Sequence, residues 1–432
     1  MAKKKIVNNI FADPTSVFAG LNAELATKSL MPTITSDRMA VIGIPVQSLA
    51  MQYLLGTEGI PFSRMVQIVG SEGSYKSTLM YELMRWYVEA GGLAILIETE
   101  AKDSGDIRNA ILDWDPDKMR NVATTSVTST KDWMAYITNV FKYYRTLMAE
   151  NKQYIPLLVS LDSVTATASE ASSDKITDEG FASGSFPTLA RDLSEYFKVM
   201  PDNVSNFPYT FAWINHVKPG TDSSMYSRGK IPGGKALAYY NSLTLHLGKK
   251  KTAESASGTV THTLEMTTWK NSFGREGRKF DVDVVWYHKE DDDVATRCYF
   301  DWDSADIKFL LKLQDGVDIG AELRDKIKEI VQLRTCKVGV KPGVYSDALG
   351  ITKEEPMTYA QAGKVLHENV DVMNRLKKAL YIKPISVFTA GNDYAQFMET
   401  VRTENSKKFN KPMEEINGTT IESDENDETS NS

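Results

Sequence analysis

Short, largely apolar runs alternate along the first half of the chain with segments of helical periodicity. The runs cover residues 66–69, 93–97, 155–161 and 210–214, and glycine or polar side chains follow each of them. The helical segments place apolar side chains every three or four residues over 77–90, 132–148 and 190–200. Such an alternation predicts an α/β core whose mostly parallel sheet is flanked by helices.

The pattern changes along the rest of the chain. Residues 103–155 predict a helix–loop–helix, whereas strand-like runs follow one another over 243–247, 260–270 and 280–288, with a turn expected at 249–259. From residue 304 onward, amphipathic segments predict a small α-rich domain. We therefore expect an N-terminal oligomerisation arm, the α/β core, a small C-terminal domain and an acidic disordered tail. These four parts are residues 1–38, 39–303, 304–400 and 401–432.

The net charge is informative only when the positions of the charged residues along the chain are considered. The 432 residues carry a formal charge of −7, which by itself argues against a nucleic-acid-binding protein. Seven Asp and Glu residues follow residue 413 with no Lys or Arg, and removing them from the total of 57 leaves 50 acidic against 50 basic residues. The body of the chain is therefore neutral and compatible with a local basic groove.

Targeting signals are not evident in the sequence. No apolar run has the length of a membrane helix, and no apolar signal segment follows the first basic residues. The two cysteines have no metal-ligand spacing and give no disulfide framework. We expect an intracellular protein that does not bind a membrane.

The strongest candidate chemistry lies between the first apolar run and its helix. The sequence there is GSEGSYKS, close to the phosphate-binding pattern G-x-x-x-x-G-K-[ST], in which backbone N–H groups and a helix N-terminus surround the phosphates. We expect Lys76 to pair with the β- and γ-phosphates of ATP and the Ser77 hydroxyl to ligate Mg²⁺. Tyr75 stands where the second glycine belongs, which leaves the turnover rate open. The predicted nucleotide-binding residues of this loop are Gly70, Ser71, Glu72, Gly73, Ser74, Tyr75, Lys76, Ser77 and Thr78.

Polar side chains also follow the other three runs, where ligands bind to parallel sheets. Glu98 and Glu100 follow the second run, and either could activate the attacking water, although a solvated acidic loop is an equal alternative. Asp162 ends the third run and is expected to hold the Mg²⁺ shell. Asn215 and His216 end the fourth run and could sense the γ-phosphate, unless His216 is a structural histidine.

Two long polar segments, 165–188 and 217–232, interrupt the core after the third and fourth runs. The second combines cations with an aromatic ring, a composition that suits single-stranded nucleic acid, although a plain surface loop would look the same. Its candidate DNA-binding residues are Lys218, Tyr226, Arg228 and Lys230.

A second basic cluster lies in the turn after residue 269. It contains Lys270, Arg275, Arg278 and Lys279. Such a cluster could reach the nucleotide of an adjacent subunit, as arginine fingers do, or contact the phosphodiester backbone.

Taken together, these motifs resemble the RecA family of strand-exchange recombinases. The resemblance covers about residues 40–290, through strand–GSEGSYKST–helix, strand–ETE, strand–LDS, strand–INH, a loop closed by GGKALAYYNS, and a basic turn after TTWKN. Among its branches the chain looks most like the tailed-phage UvsX recombinases. These too have an aromatic residue before the phosphate-loop lysine and Asn-His after the fourth core strand, as Tyr75 and His216 show here.

The resemblance implies a role for each matching residue. Glu100 matches the glutamate that activates water, and Asp162 the metal-shell aspartate. Asn215 and His216 match the sensor that couples the γ-phosphate to DNA binding. The two polar segments match the DNA-binding loops, with Arg191 just after the first.

Matches to the contacts between subunits and with adenine are less complete. Lys270 matches a lysine that reaches the neighbouring subunit's ATP, but Ser272 stands where the family's second such lysine is expected, and Arg275 or Arg278 are candidate substitutes. The family's tyrosine over adenine has no clear counterpart, since Ile107 or Arg108 lies near that position.

The function that the resemblance implies is a DNA-dependent ATPase with ATP and Mg²⁺ as cofactors. It would form a helical homo-oligomeric filament on single-stranded DNA and pair it with double-stranded DNA in the cytoplasm of a phage-infected bacterium. A recombination mediator and a single-stranded-DNA-binding protein are the further partners expected. Two alternatives stay open: a RecA-fold hexameric DNA helicase, and a non-hydrolysing architectural protein that coats single strands.

Overall fold

The fold is built on a nine-stranded sheet in a computed structural model. The structure describes residues 41–100, 120–164, 186–205, 207–217, 231–232, 235–255, 258–287, 297–316, 320–394, 396–398 and 400–401. The N-terminal arm, nearly all of the acidic tail, most of both predicted DNA-binding loops, and Ile107 with Arg108 lie outside these ranges. Residues 41–394 form one compact unit, and the second unit comprises 1–40 with 395–432.

Helices and strands alternate in the described part of the chain. The helices are α1 (Leu49–Leu55), α2 (Lys76–Glu89), α3 (Thr130–Asn151), α4 (Phe186–Val204), α5 (Lys235–Tyr240), α6 (Trp302–Gln314), α7 (Ala321–Val331), α8 (Tyr359–Glu368) and α9 (Val370–Ala379). The strands of the large sheet are β3 (Arg64–Gly70), β4 (Leu93–Glu98), β5 (Val122–Ser126), β6 (Leu157–Asp162), β7 (Tyr209–His216), β8 (Leu243–Glu254), β9 (Val260–Asn271), β10 (Lys279–Tyr287) and β11 (Arg297–Phe300). The smaller strands are β1 (Ile42–Pro45), β2 (Gly59–Pro61), β12 (Arg334–Val338), β13 (Lys341–Tyr345), β14 (Met357–Thr358) and β15 (Ser386–Val387).

The order of the large sheet is β11-β10-β9-β8-β3-β7-β6-β4-β5. Neighbours from β8 to β5 pair in parallel, and β8 to β11 form an antiparallel extension. The prediction of an α/β core with a mostly parallel sheet is therefore confirmed. The register also matters, because Gly70 pairs with His216 and Glu98 with Asp162. Four strands of the sheet thus end at one edge.

Helices cover both faces of the parallel part. Side chains of α3, α4 and α5 form a buried cluster with one set of alternating strand residues, which includes Val159, Phe211 and Trp213. The opposite set faces α2, where the Tyr87 hydroxyl lies 2.5 Å from the Thr210 hydroxyl. Burial on both faces explains why these strands are apolar at nearly every position.

Two predictions about the edges of the sheet are wrong. Residues 122–126 form β5 rather than part of a helix–loop–helix, and its side chains are half-buried or exposed, so no apolar pattern marks it. The expected turn at 249–259 begins later, because β8 continues to Glu254 with exposed side chains. Backbone pairing with β9, rather than burial, maintains this extension.

The C-terminal part combines helices with strands. Besides α6 to α9, it contains the antiparallel sheet β12-β13-β14, and its strand β15 pairs in parallel with β1 near the beginning of the described chain. Strands β12 and β13 lie within residues 304–400, which the sequence predicted to be rich in helices. The four-part division of the chain stays a prediction. In the described residues no helix combines the length and apolarity that crossing a bilayer requires.

A buried ionic cluster joins α6, α8 and the beginning of α1. Asp306 is fully buried and accepts hydrogen bonds from the Ser48 hydroxyl and from the backbone N–H groups of Leu49 and Ala50. His367 Nε2 lies 2.7 Å from Asp306 Oδ2, and its Nδ1 lies 3.1 Å from Asp303 Oδ1. Burial opposes the charged imidazole, but the two aspartates outweigh it and raise the pKa of His367 to about 9.

This cluster predicts that the stability of the protein falls as the pH becomes alkaline. Because the folded pKa of His367 is raised above its usual value, its contribution is fully present below about pH 6.5 and is lost as the pH rises through about 9. We expect His367→Gln to lower the free energy of unfolding by about 2–3 kcal/mol at pH 6.5 and by much less at pH 10. Denaturant titrations of both proteins across this range measure the difference. A difference that stays constant with pH would contradict the proposed linkage.

Candidate nucleotide-binding site

The loop between β3 and α2 has the shape of a phosphate cradle. Gly70 ends the strand, and a Cβ added to it would lie 2.3 Å from Ser74 Oγ and 2.6 Å from the Leu247 carbonyl oxygen, so only glycine fits. Ser74 Oγ and Lys76 Nζ each donate to the Ser71 carbonyl oxygen at 2.7 Å, which closes the loop. The N-terminus of the 14-residue helix α2 follows at once. This arrangement presents N–H groups and an ammonium to an anion.

Tyr75 adopts the backbone conformation that the motif's glycine normally supplies. Its φ is 64° and its ψ 29°, in the left-handed region. The hydroxyl accepts a hydrogen bond from Trp286 Nε1 at 3.2 Å, and the ring lies 5.2 Å from the His262 ring. Burial raises the pKa of the Tyr75 hydroxyl, and the Trp286 hydrogen bond opposes that shift. Tyr75 therefore holds a backbone conformation that favours glycine, while its side chain contacts Trp286 and His262.

The predicted metal residues meet directly. Ser77 Oγ donates to Asp162 Oδ2 at 2.5 Å, which joins the start of α2 to the end of β6. Burial raises the pKa of Asp162, and the Glu100 charge adds to the effect, while Ser77, Lys76 and His216 oppose it. A hydroxyl and a half-buried carboxylate are hard oxygen ligands that suit Mg²⁺. In the described ranges no three His, Cys, Asp or Glu side chains cluster to hold a metal by themselves, so phosphate oxygens and water would complete the shell.

Asp162→Asn is expected to raise the Mg²⁺ concentration required for half-maximal ATP binding by about tenfold. Because the pKa of Asp162 is raised, protons should compete with Mg²⁺ in the wild type as the pH falls, and the variant should lose this pH dependence. Mg²⁺ titrations of ATP binding at several pH values measure both effects. The exposed Asp132, at the start of α3, provides the matched control Asp132→Asn. An unchanged Mg²⁺ requirement in Asp162→Asn would exclude this metal position.

The candidate base lies beside the metal pair. Glu100 Oε1 accepts a hydrogen bond from Ser163 Oγ at 2.9 Å, and His216 Nε2 lies 3.5 Å from the same oxygen. Ser163 and His216 therefore fix the position of the Glu100 carboxylate. Glu98 is also at this edge and is buried, so geometry alone leaves both glutamates within the site.

The side chain of Asn215, unlike that of His216, does not line the nucleotide cavity. It is fully buried, its Oδ1 accepts from the His216 backbone N–H, and its Nδ2 donates to the Pro232 carbonyl oxygen at 2.9 Å. The side chain thus connects the end of β7 to the last residues of the second polar segment rather than to the nucleotide cavity. Its predicted part in sensing the γ-phosphate stays a prediction.

These residues surround one cavity of about 470 Å³. Its lining contains the loop from Glu72 to Thr78 together with Tyr81, Glu98, Glu100, Asp162, His216, Lys249, His262 and Trp286. The volume suits a drug-sized or nucleotide-sized ligand. Sequence reasoning missed Tyr81 of α2, because its helical spacing indicates only a buried side chain. It also missed Lys249, His262 and Trp286 of β8, β9 and β10, because nothing in the sequence indicates that an antiparallel extension turns toward the phosphate loop.

The predicted trans-acting cations lie away from this cavity. Lys270 Nζ donates to the carbonyl oxygens of Ala238 and Tyr239 at 2.8 Å, at the end of α5, and burial lowers its pKa. Arg278 donates to the Tyr53 carbonyl oxygen at 2.6 Å and covers the Tyr53 ring. Arg275 is exposed. It is therefore the better candidate of the two arginines for reaching a neighbouring subunit.

Of the predicted DNA-binding residues, the structure describes Arg191 alone. Its side chain on α4 is 72% exposed and lies 3.8 Å from Asp192. The other four, Lys218, Tyr226, Arg228 and Lys230, lie outside the described residues.

Comparison with known proteins finds relatives of low identity that share one name. The chain is 24% identical over 276 residues to Protein RecA of Tropheryma whipplei. This alignment covers 62% of the chain and 57% of that protein. It is 25% identical over 259 residues to Protein RecA of Roseiflexus castenholzii, covering 58% and 66%. A longer alignment, 24% identical over 366 residues, joins it to Protein RecA of Frankia casuarinae and covers 77% and 95%.

The chain thus spans less than two thirds of the first two of these relatives. No protein-family model matches it.

Proposed function

We propose that this chain, a distant homologue of the RecA recombinases, is an ATP-dependent recombinase that forms a helical filament on single-stranded DNA and promotes homologous pairing and strand exchange. One observation carries the proposal: the phosphate loop, the Ser77–Asp162 pair and the Glu100–His216 pair converge in a single cavity at the carboxyl edge of the sheet. Such a convergence is what phosphoryl transfer from ATP to water requires.

The residues divide the work of hydrolysis. Lys76 and the backbone N–H groups of the loop neutralise the β- and γ-phosphate oxygens. Glu100 accepts a proton from the attacking water while the water oxygen bonds to the γ-phosphorus and the bond from that phosphorus to the bridging oxygen breaks. Ser163 and His216 hold the carboxylate in position. Ser77 and Asp162 would hold Mg²⁺, which would supply positive charge to the leaving diphosphate.

The end of β7 offers a route from the nucleotide to DNA. His216 contacts Glu100 in the cavity, and its neighbour Asn215 bonds to Pro232, at the end of the second predicted DNA-binding loop. A change in the γ-phosphate would reach that loop through two adjacent residues. We propose that ATP favours the DNA-binding form of the filament and that hydrolysis releases it.

We further propose that the protein serves recombination, repair and replication of a tailed phage, in the cytoplasm of the infected bacterium. Tyr75 before the phosphate-loop lysine and His216 after Asn215 support this assignment, since both depart from the glycine and glutamine of bacterial RecA in the way that the UvsX branch does. Single- and double-stranded DNA, a recombination mediator and a single-stranded-DNA-binding protein are its proposed partners.

The first test is ATP hydrolysis with and without single-stranded DNA, using Lys76→Ala as the blank. Strong stimulation by single strands supports a recombinase or a motor, and electron microscopy then separates an open filament of variable length from the ring of six subunits expected of a helicase. Tyr75 at the motif's glycine position favours one other function, an architectural coat that binds nucleotide without hydrolysis. Nucleotide binding with no hydrolysis under either condition would support that function and exclude the ATPase.

A further inference from the structure

The Tyr75 side chain joins the phosphate loop to the antiparallel extension of the sheet. Tyr75 sends its ring from the loop toward β9 and β10, where it meets His262 and Trp286. The Trp286 indole N–H donates to the Tyr75 hydroxyl at 3.2 Å. The two residues are separated by 211 positions in the sequence, so this contact belongs to the tertiary fold and not to the local turn.

The residues that receive the Tyr75 ring are themselves fixed. His262 Nδ1 lies 2.8 Å from the Thr252 hydroxyl on the neighbouring strand, which sets the orientation of the imidazole ring. Trp286 pairs with Val260, and Val284 with His262, in the register of β10 on β9. The ring therefore rests on two adjacent strands whose register is set by backbone pairing.

We propose that Trp286 is a positioning residue for the phosphate loop and acts through Tyr75. A glycine at residue 75 would adopt the left-handed backbone without cost but could make no side-chain contact. A tyrosine in that conformation is strained, and it can stay there only if its surroundings hold it. The hydrogen bond from Trp286 supplies such a restraint. The inference rests on the proposed ATPase function, because it concerns how the loop is placed for the phosphates.

Two single substitutions remove the same hydrogen bond while keeping an aromatic ring. We expect Trp286→Phe and Tyr75→Phe each to raise the Kd and the KM for ATP by about fivefold, the effect of one neutral hydrogen bond. The change in kcat should be smaller, because the reacting groups stay in place. The double variant Tyr75→Phe/Trp286→Phe should be no worse than either single variant, since both act on one bond.

Testing Trp286→Phe in the Tyr75→Gly variant distinguishes positioning of the phosphate loop from other roles of Trp286. In Tyr75→Gly the loop no longer needs the restraint, so adding Trp286→Phe should change the Kd for ATP by less than about twofold. Trp302→Phe is the matched control, because Trp302 also donates one indole hydrogen bond, to Glu82, and does not line the cavity. We expect it to lower the melting temperature and leave the KM unchanged.

Two results would overturn the inference. A fivefold loss of affinity from Trp286→Phe in both backgrounds would mean that Trp286 contacts the nucleotide directly or supports the fold. An unchanged Kd in the wild-type background would mean that the hydrogen bond positions nothing. Failure of the ATPase proposal gives a different result. If the wild-type protein binds ATP without hydrolysing it, the Kd values of the variants can still be compared with that of the wild type. If it binds no ATP, both proposals are excluded.

Discussion

Lys76→Ala is expected to reduce ATP hydrolysis by about 10²–10³-fold, which is the effect of removing one preorganised donor from a charged transition state. Lys76 is 6% exposed, and its ammonium donates to the Ser71 carbonyl oxygen within the loop, so the side chain is largely shielded from bulk water. Its loss removes the positive charge that pairs with the β- and γ-phosphates, and it also removes the hydrogen bond that closes the loop. ATP binding and single-strand-stimulated turnover should both fall, as measured by fluorescent-nucleotide titration and phosphate release.

Lys250→Ala is the control for this loss of charge. Lys250 lies on β8, where it pairs with Asp281 at 2.7 Å and Glu265 at 3.0 Å, and it does not line the nucleotide cavity. We expect its ATPase rate to match that of the wild type. If Lys76→Ala retained DNA binding and every other activity of the wild type, the nucleotide would have no catalytic role, and the architectural function would replace the recombinase.

Glu100→Gln is expected to lower kcat by about 10²–10⁴-fold, the usual contribution of a general base, while the Kd for ATP changes little. The amide keeps the shape of the carboxylate but cannot accept the proton of water. Glu98→Gln, its matched comparison at the same edge of the sheet, should have a much smaller effect, because Glu100 is the glutamate that Ser163 and His216 orient. Single-turnover hydrolysis measures the chemical step in both variants.

The same pair of variants decides which glutamate is the base. If Glu98→Gln abolished hydrolysis and Glu100→Gln did not, the assignment would be reversed. Filaments offer a second measurement, since Glu100→Gln should hold ATP without turnover and its filaments should outlast those of the wild type. Short-lived filaments in that variant would mean that disassembly does not require ATP hydrolysis.

The sequence predicted the buried strands of the parallel sheet, β3, β4, β6 and β7, with little error. Strands such as β6 are buried on both faces, so their apolar runs are unmistakable, and the chain itself places Asp162 at the end of the run. Gly70 was equally predictable, because no other residue fits its backbone. In these places local pattern and tertiary position depend on the same physical cause, which is complete burial.

The missed features depend on pairing between distant segments. Strand β5 is exposed along much of its length and exists because β4 offers it a free edge. The far part of β8 is likewise exposed, and it brings Lys249 beside the phosphate loop through its pairing with β9. Trp286 reaches Tyr75 only once three antiparallel strands are in register. No local periodicity encodes such contacts.

The buried carboxylate of Asp306 has a consequence for dividing this protein into pieces. It satisfies the first donors of α1 from a position 256 to 258 residues further along the chain, and β15 returns to pair with β1. A fragment that stopped at residue 303 would expose those donors to water and leave one edge of β1 without its neighbour. The first helix and the C-terminal part are therefore mutually dependent, and gene fragments for expression should keep residues 41–394 together.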